Sequence, residues 1–196
     1  MSEPFLVRDS GMSLAELLVY VMLLVVITAI AGSLLITALT SQRDLTAMAS
    51  ATSRAQVVAA SIEKGVRTAS TVSAPAATAI GQRLVTRTGT FAAAGTATWQ
   101  CQSWLITPAG DVYHRTSTAA IAAPTSLSPS GLSGWSLIAE RVRTAPGATA
   151  AFTVNGGTVS LAIEAQAEGD GAPALVTNRI SKQTLPTTSG TGPATC

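Results

Sequence analysis

The sequence predicts an α+β fold in which a long N-terminal helix packs against an antiparallel β-sheet. Three observations predict it: an uncharged apolar stretch over residues 17–39, an apolar stripe over residues 45–66, and an alternating pattern beyond Pro75. A stripe at helical spacing needs a partner surface, and alternation with a period of two is typical of strands. A helix followed by strands therefore favours a sheet that covers the stripe.

The helix is predicted to run without interruption from about Ser13 to about Ala69. No proline occurs in residues 12–74, so every residue there keeps the backbone donor that a helix needs. The first half is apolar all round. The second half is apolar on one face, at intervals of three and four residues: Leu45, Met48, Ala51, Ala55, Val58, Ile62 and Val66.

Beyond the helix, residues 71–78 are predicted to be a linker, because Pro75 ends the helical potential. Short alternating segments bounded by turn residues predict strands at residues 83–88, 97–106, 112–116, 135–142, 151–154, 158–165 and 174–180. The clearest hairpin turn is at residues 155–157, Asn-Gly-Gly. Residues 117–133 are predicted to be a long loop rich in Ala, Ser and Pro, and residues 168–171 a polar turn.

The composition favours an exported protein over a cytosolic enzyme. Charged residues make up 11% of the 196 residues, and the net charge of +2 is too small to indicate nucleic-acid binding by itself. The predicted organisation is a leader over residues 1–11, an apolar half-helix over 12–41 and a globular head over 42–196. Within the head, residues 42–69 continue the helix, and residues 79–196 form the sheet and the C-terminal tail.

The two cysteines are Cys101 and Cys196. An even count in an exported domain predicts one disulfide between them, and the alternatives are two separate thiols or intermolecular pairing. Residues 186–196 are too polar and too rich in Gly and Thr to order themselves. A disulfide between the two cysteines would therefore attach this tail to the rest of the head.

The N-terminal motif consists of Gly11, then Met12-Ser13-Leu14-Ala15-Glu16, then the apolar stretch. A carboxylate at the start of a membrane-length helix is costly unless it is paired. A secretory signal peptide carries its cleavage site after a short apolar core, whereas here the small residue precedes the core. The motif resembles the class III leader of type IV prepilins and pseudopilins, over residues 6–45.

This resemblance implies that prepilin peptidase cleaves between Gly11 and Met12, and that the new N-terminal amine of Met12 is methylated. It also implies that Glu16 registers subunits during assembly by neutralising the N-terminal ammonium of a neighbouring copy. The sequence departs from the family in two ways. The first mature residue is Met12 where Phe is commonest, and the leader is barely basic, with Arg8 against Glu3 and Asp9.

The resemblance further implies a structural subunit of an extracellular filament, held in the cytoplasmic membrane before assembly. Its partners would be other pilin subunits, prepilin peptidase and the assembly platform in the membrane, with no cofactor. The succession of strands resembles the larger minor pilins, of the PilW or J-type pseudopilin kind. The alternatives are a pseudopilin of a type II secretion system, a DNA-binding competence pilin, an ordinary single-pass anchor with Glu16 at the membrane interface, and a single-pass anchored enzyme, which the missing catalytic residues disfavour.

The sequence contains no enzyme motif, and its one histidine, His114, is expected at the surface of a hairpin without a metal. A calcium ion bound by Glu164, Glu168 and Asp170 is the alternative to a solvated turn. The three tryptophans are expected in the core. The alternative is an exposed platform that binds sugars or nucleobases with help from arginines: Trp99, Trp104 and Trp135, with Arg83, Arg87 and Arg115.

Overall fold

The computed structural model describes residues 13–91, 97–169, 171–183 and 190–196. The predicted α+β class is confirmed: one long N-terminal helix is followed by antiparallel strands. The chain divides into two compact units between Arg43 and Asp44. The elements are α1 Leu14–Arg67, β1 Ala69–Ser73, β2 Gln82–Phe91, β3 Ala97–Ile106, β4 Val112–Ser117, β5 Ser136–Ala139, β6 Val142–Thr144, β7 Phe152–Asn155, β8 Thr158–Ala165, β9 Ala174–Ser181 and β10 Gly190–Thr191.

The apolar stripe of α1 is buried over a shorter length than predicted. Burial begins at Ala51 and continues through Val66, whereas Leu45 and Met48 are 68% and 47% exposed. The prediction was wrong for these two residues because the strands cover the helix from Ala51 onward. Farther toward the N-terminus, Gly171 in the loop before β9 approaches Ala47.

The first sheet has the order β1-β2-β3-β4-β5, and β10 pairs in parallel with β3. The predicted linker over residues 71–78 was wrong in its first part. Residues 69–73 form β1, antiparallel to β2, with Val72 opposite Thr86. Because most side chains of β1 are small and polar, the sequence shows no alternation there that would predict a strand.

Both faces of the first sheet are covered. On one face, Leu84 and Trp104 belong to the main core, together with α1 and the second sheet. On the other face, Cys101 and Leu105 pack with Ile121 and Trp135 of the long loop between β4 and β5. The predicted alternation of β3 is therefore correct, but it places apolar residues on two buried faces.

The predicted strand over residues 135–142 was wrong, because the segment is divided between two sheets. Residues 136–139 form β5 of the first sheet, and residues 142–144 form β6 of the second. Between them Arg141 adopts a positive φ of 59°, and the Val142 amide donates to the Gly110 carbonyl at 2.8 Å. This left-handed residue redirects the chain, and alternation alone does not predict it.

The second sheet is organised around β8. Strand β9 pairs with one edge of β8 along the whole length of β8. Strands β6 and β7 both pair with the opposite edge of β8. The predicted hairpin is confirmed, since Gly156 and Gly157 have φ values of 57° and 83°. Two positive φ values are what a two-residue turn between twisted strands requires.

Trp104 makes a close contact between the helix and the first sheet. Its ring is fully buried, its indole nitrogen donates to the Ser61 hydroxyl at 2.9 Å, and its edge lies directly against Gly65. A glycine costs about 1 kcal/mol relative to alanine inside a helix. A glycine fits at position 65 because a Cβ atom there would overlap the indole ring.

We therefore expect Gly65→Ala to lower the free energy of unfolding by about 1–3 kcal/mol, because overpacking outweighs the gain in helix propensity. This change in the free energy of unfolding is measured by denaturant unfolding of the head. Trp104→Phe removes the ring atoms nearest to Gly65, so Gly65→Ala should cost less in that background. An equal cost in both backgrounds would contradict the proposed overlap.

Candidate functional site

Glu16 lies in the first turn of α1. The amides of Glu16 and Leu17 donate to the Ser13 carbonyl at 2.9 and 3.1 Å, so the helix begins directly after Ser13. A carboxylate in this position faces the partially positive end of the helix, which favours its charge. Gly11 and Met12, the predicted cleavage and methylation residues, lie outside the described residues.

The helix that follows Glu16 presents apolar side chains on all sides. From Leu17 to Leu39 the sequence contains no charged residue, and the large apolar side chains there are about half exposed or more. Within the described part of the chain, one helix is long and apolar enough to cross a membrane. These features are compatible with a single-pass membrane anchor.

The serine and threonine hydroxyl groups in this apolar stretch are satisfied by the helix itself. Thr28, Ser33 and Thr37 each donate to a backbone carbonyl three or four residues earlier, at 2.8–3.0 Å. In an apolar environment an unsatisfied hydroxyl is costly. These three side chains therefore add little to the cost of placing the helix in lipid or against other apolar helices.

In the head, the carboxylates considered for calcium are paired with arginines. Glu164 is 3% exposed and accepts from Arg143 at 2.8 Å. Glu168 contacts Arg54 at 3.4 Å and Arg141 at 3.7 Å, and Asp170 lies outside the described residues. Among the residues that the structure describes, no group of three or more metal-binding side chains comes together.

The idea of an exposed tryptophan platform was wrong. Trp99, Trp104 and Trp135 are 5%, 0% and 9% exposed, because the helix, the long loop and the C-terminal tail cover both faces of the first sheet. Two of the three arginines hold the loop between β4 and β5: Arg83 donates to the Ile121 carbonyl at 3.0 Å, and Arg115 donates to the Ser133 carbonyl at 3.2 Å.

His114 is half-buried rather than at the surface, so that expectation was also wrong. Its ring stacks on Trp104 with 4.9 Å between centroids. Its Nε2 atom is buried without a hydrogen-bond partner among the described residues. Burial lowers the pKa of His114, because the protonated ring loses its hydration.

Residues 190–196, the C-terminal strap, lie against the outer face of the first sheet. Cys196 forms a disulfide with Cys101, with the Cα atoms 5.6 Å apart, as the cysteine count predicts. The strap also pairs with the start of β3 through β10. Arg87 donates to the Pro193 carbonyl at 2.6 Å and lies 4.0 Å above the Trp99 ring. Sequence reasoning missed β10 and this role of Arg87, since neither carries a local pattern.

Comparison of the chain with family models, curated proteins and solved structures finds no match. The features that bear on function are therefore those of the chain itself. They are the acidic first turn at Glu16, the apolar helix that follows it, and a head whose tail is covalently tied to its first sheet.

The disulfide should contribute substantially to the stability of the head. It joins residues 95 positions apart, and closing a loop of that length is worth about 4–5 kcal/mol in the chain-entropy description. We expect Cys101→Ser with Cys196→Ser to lower the free energy of unfolding by a large part of that amount, measured by denaturant titration. Reduction of the wild type should reproduce the loss. A change below about 1 kcal/mol would show that the strap is held by its other contacts.

The lowered pKa of His114 predicts a pH dependence of stability. The unfolded chain binds the proton more tightly than the folded chain, so the stability present above the usual pKa of 6.5 falls as the pH drops through that value toward the folded pKa. His114→Phe keeps a ring on Trp104 and should flatten this part of the profile. Thermal unfolding of both proteins between about pH 7.5 and pH 5 tests it. Parallel profiles would contradict the prediction.

Proposed function

We propose that this chain is a structural subunit, in particular a minor pilin, of a type IV pilus-like filament. It would be processed by prepilin peptidase between Gly11 and Met12 and assembled through its N-terminal helix. The observation that carries the proposal is the position of Glu16, a lone carboxylate in the first turn of a helix that is uncharged from Leu17 to Leu39. The resemblance of residues 6–45 to class III leaders supports the same function.

The physical argument concerns how the charge of Glu16 is compensated. In a bundle of apolar helices a carboxylate is expensive unless it is paired or protonated. No Lys or Arg occurs in residues 17–42, so the same stretch of a neighbouring helix supplies no cation. Cleavage before Met12 creates an α-ammonium near the level of Glu16. Pairing of this ammonium with Glu16 of another copy would compensate both charges.

The rest of the helix suits the same function. Its self-satisfied hydroxyls at Thr28, Ser33 and Thr37 allow it to move from lipid into a bundle without exposing a new polar group. From Ala51 to Val66 the helix is part of the folded head. The head would therefore be carried to the filament surface by the same helix that forms the filament interior.

A pseudopilin of a type II secretion system is the second candidate. The same observations support it, because its subunits are cleaved and packed by the same physics. Fold and motif do not separate the two. The neighbouring genes separate them, according to whether an assembly ATPase and prepilin peptidase accompany pilus or secretion components.

The proposal is tested by Glu16→Ala in cells that contain the assembly machinery. We expect cleavage before Met12 to be unchanged, because it precedes pairing, and a neutral helix to insert at least as readily. Incorporation into sheared filaments, relative to the membrane pool, should fall by more than tenfold. Leaving one buried charge without its partner costs about 3–5 kcal/mol.

Glu140→Ala is the matched control, since Glu140 is an exposed carboxylate of the head. It should leave incorporation unchanged. Mass spectrometry of the N-terminus and quantitative blotting of the two fractions supply the measurements. An intact leader in wild type would overturn the pilin interpretation. Equal incorporation of Glu16→Ala would indicate that Glu16 is an interfacial residue of a simple anchor.

A further inference from the structure

Arg83 is a half-buried cation without a carboxylate partner among the described residues. It lies directly opposite Leu105 in the pairing of β2 with β3, so its side chain shares the outer face of the first sheet with Leu105. The ion pairs of the described chain involve other arginines. A guanidinium has five donors, and the one acceptor identified for Arg83 is the Ile121 carbonyl at 3.0 Å.

The burial of this charge is costly. A cation that leaves water without meeting an opposite charge is destabilised, so buried charges are normally paired. Burial accordingly lowers the pKa of Arg83, because the protonated form loses hydration. A perturbed ionisable group that lines a cleft is typical of a functional site. The unpaired cation therefore indicates a place for an anionic group.

Two loops converge on Arg83 and enclose a cavity of about 50 Å³. One is the loop between β1 and β2, and the other is the long loop between β4 and β5. Thr78 supplies a hydroxyl to the wall, but this hydroxyl is already bonded within its own loop to Gly81 and Ile80. Arg83 is the one charged residue of the described wall, which is otherwise mainly apolar: Pro75, Ala76, Ile80, Leu105, Ala123 and Pro124.

A wider groove adjoins the cavity. It has a volume of about 270 Å³ and shares Pro75, Ala76 and Arg83 with the cavity. Phe152 and Val154 of β7 belong to its wall. The cavity is thus large enough for a small charged group, whereas the groove has room for a larger apolar one.

We propose that the cavity beside Arg83 binds the carboxylate group of a ligand whose apolar body lies in the groove. A carboxylate matches the planar guanidinium and forms two parallel hydrogen bonds with it. A phosphate would turn further charged oxygens toward apolar walls, which is unfavourable. The site does not depend on leader cleavage or filament assembly, so the proposed function and this inference can fail separately.

Two sources offer this chemistry, a small organic acid and the C-terminus of a polypeptide, and the test separates them. It uses the full chain in nanodiscs of zwitterionic lipid and follows fluorine NMR line broadening of the ligand. The small probe is para-fluorophenylpropionate, and its uncharged amide is the matched ligand. The polypeptide probe is a short peptide that ends in fluorophenylalanine, with a free or an amidated C-terminus.

We expect a free carboxylate to bind about tenfold more tightly than its amide, because hydrogen bonds between charged groups are stronger than those of neutral ones. Whichever free carboxylate binds more tightly identifies the source. Equal affinity for acid and amide, or binding of neither acid, would overturn the proposal.

Arg83→Gln should reduce the affinity for the acid about tenfold, to that of the amide. Arg83→Lys keeps a charged donor for the Ile121 carbonyl but lacks the planar fork, so it should weaken binding while the loop stays attached. Arg115→Gln is the matched control, because Arg115 also donates to a carbonyl of the long loop, that of Ser133, but lies outside the wall of the cavity.

The control should bind the acid as tightly as wild type, and equal unfolding temperatures establish that the variants are folded. Unchanged binding in both Arg83 variants would overturn the proposal. An equal loss in Arg115→Gln would also overturn it, because the effect would then come from the loop or from net charge.

Discussion

The fold depends on the contact between Trp104 and the second half of α1. The indole nitrogen donates a hydrogen bond to the Ser61 hydroxyl, the edge of the ring lies directly against Gly65, and the His114 ring stacks on the indole. This one ring thus connects the helix to the third and fourth strands of the first sheet. A helix with one apolar face is stable only when that face is covered, and Trp104 provides this cover for the last turns of α1 together with the rest of the main core.

The first half of the helix has the opposite requirement. Among the described residues of its unit, 13–43, it has no packing partner and exposes apolar side chains throughout, which is compatible with surroundings of lipid or other apolar helices. The second half is covered from Ala51 onward by the chain's own strands. One uninterrupted helix thus serves two different environments, and Glu16 is the one charged side chain described at the apolar end.

The sequence predicted the features that repeat locally and missed those that depend on distant segments. The helix and the hairpin at Gly156 and Gly157 follow from periodicity and turn chemistry, and both are correct within one or two residues. The crossover at Arg141 and the pairing of β10 with β3 depend on distant contacts, which carry no local signal. The exposure of Leu45 and the burial of His114 were missed for the same reason, since a pattern does not report how far a sheet extends.

The disulfide divides the head into two mechanical parts. Between Cys101 and Cys196 the chain forms a covalent ring that contains the end of β3 and all of β4 through β10, whereas α1, β1 and β2 lie outside it. A pulling force applied through the helix and resisted at the surface of the head would reach the ring only after passing through β1 and β2. Under tension the non-covalent packing of α1, β1 and β2 would therefore separate first. The strands within the ring would be extended last.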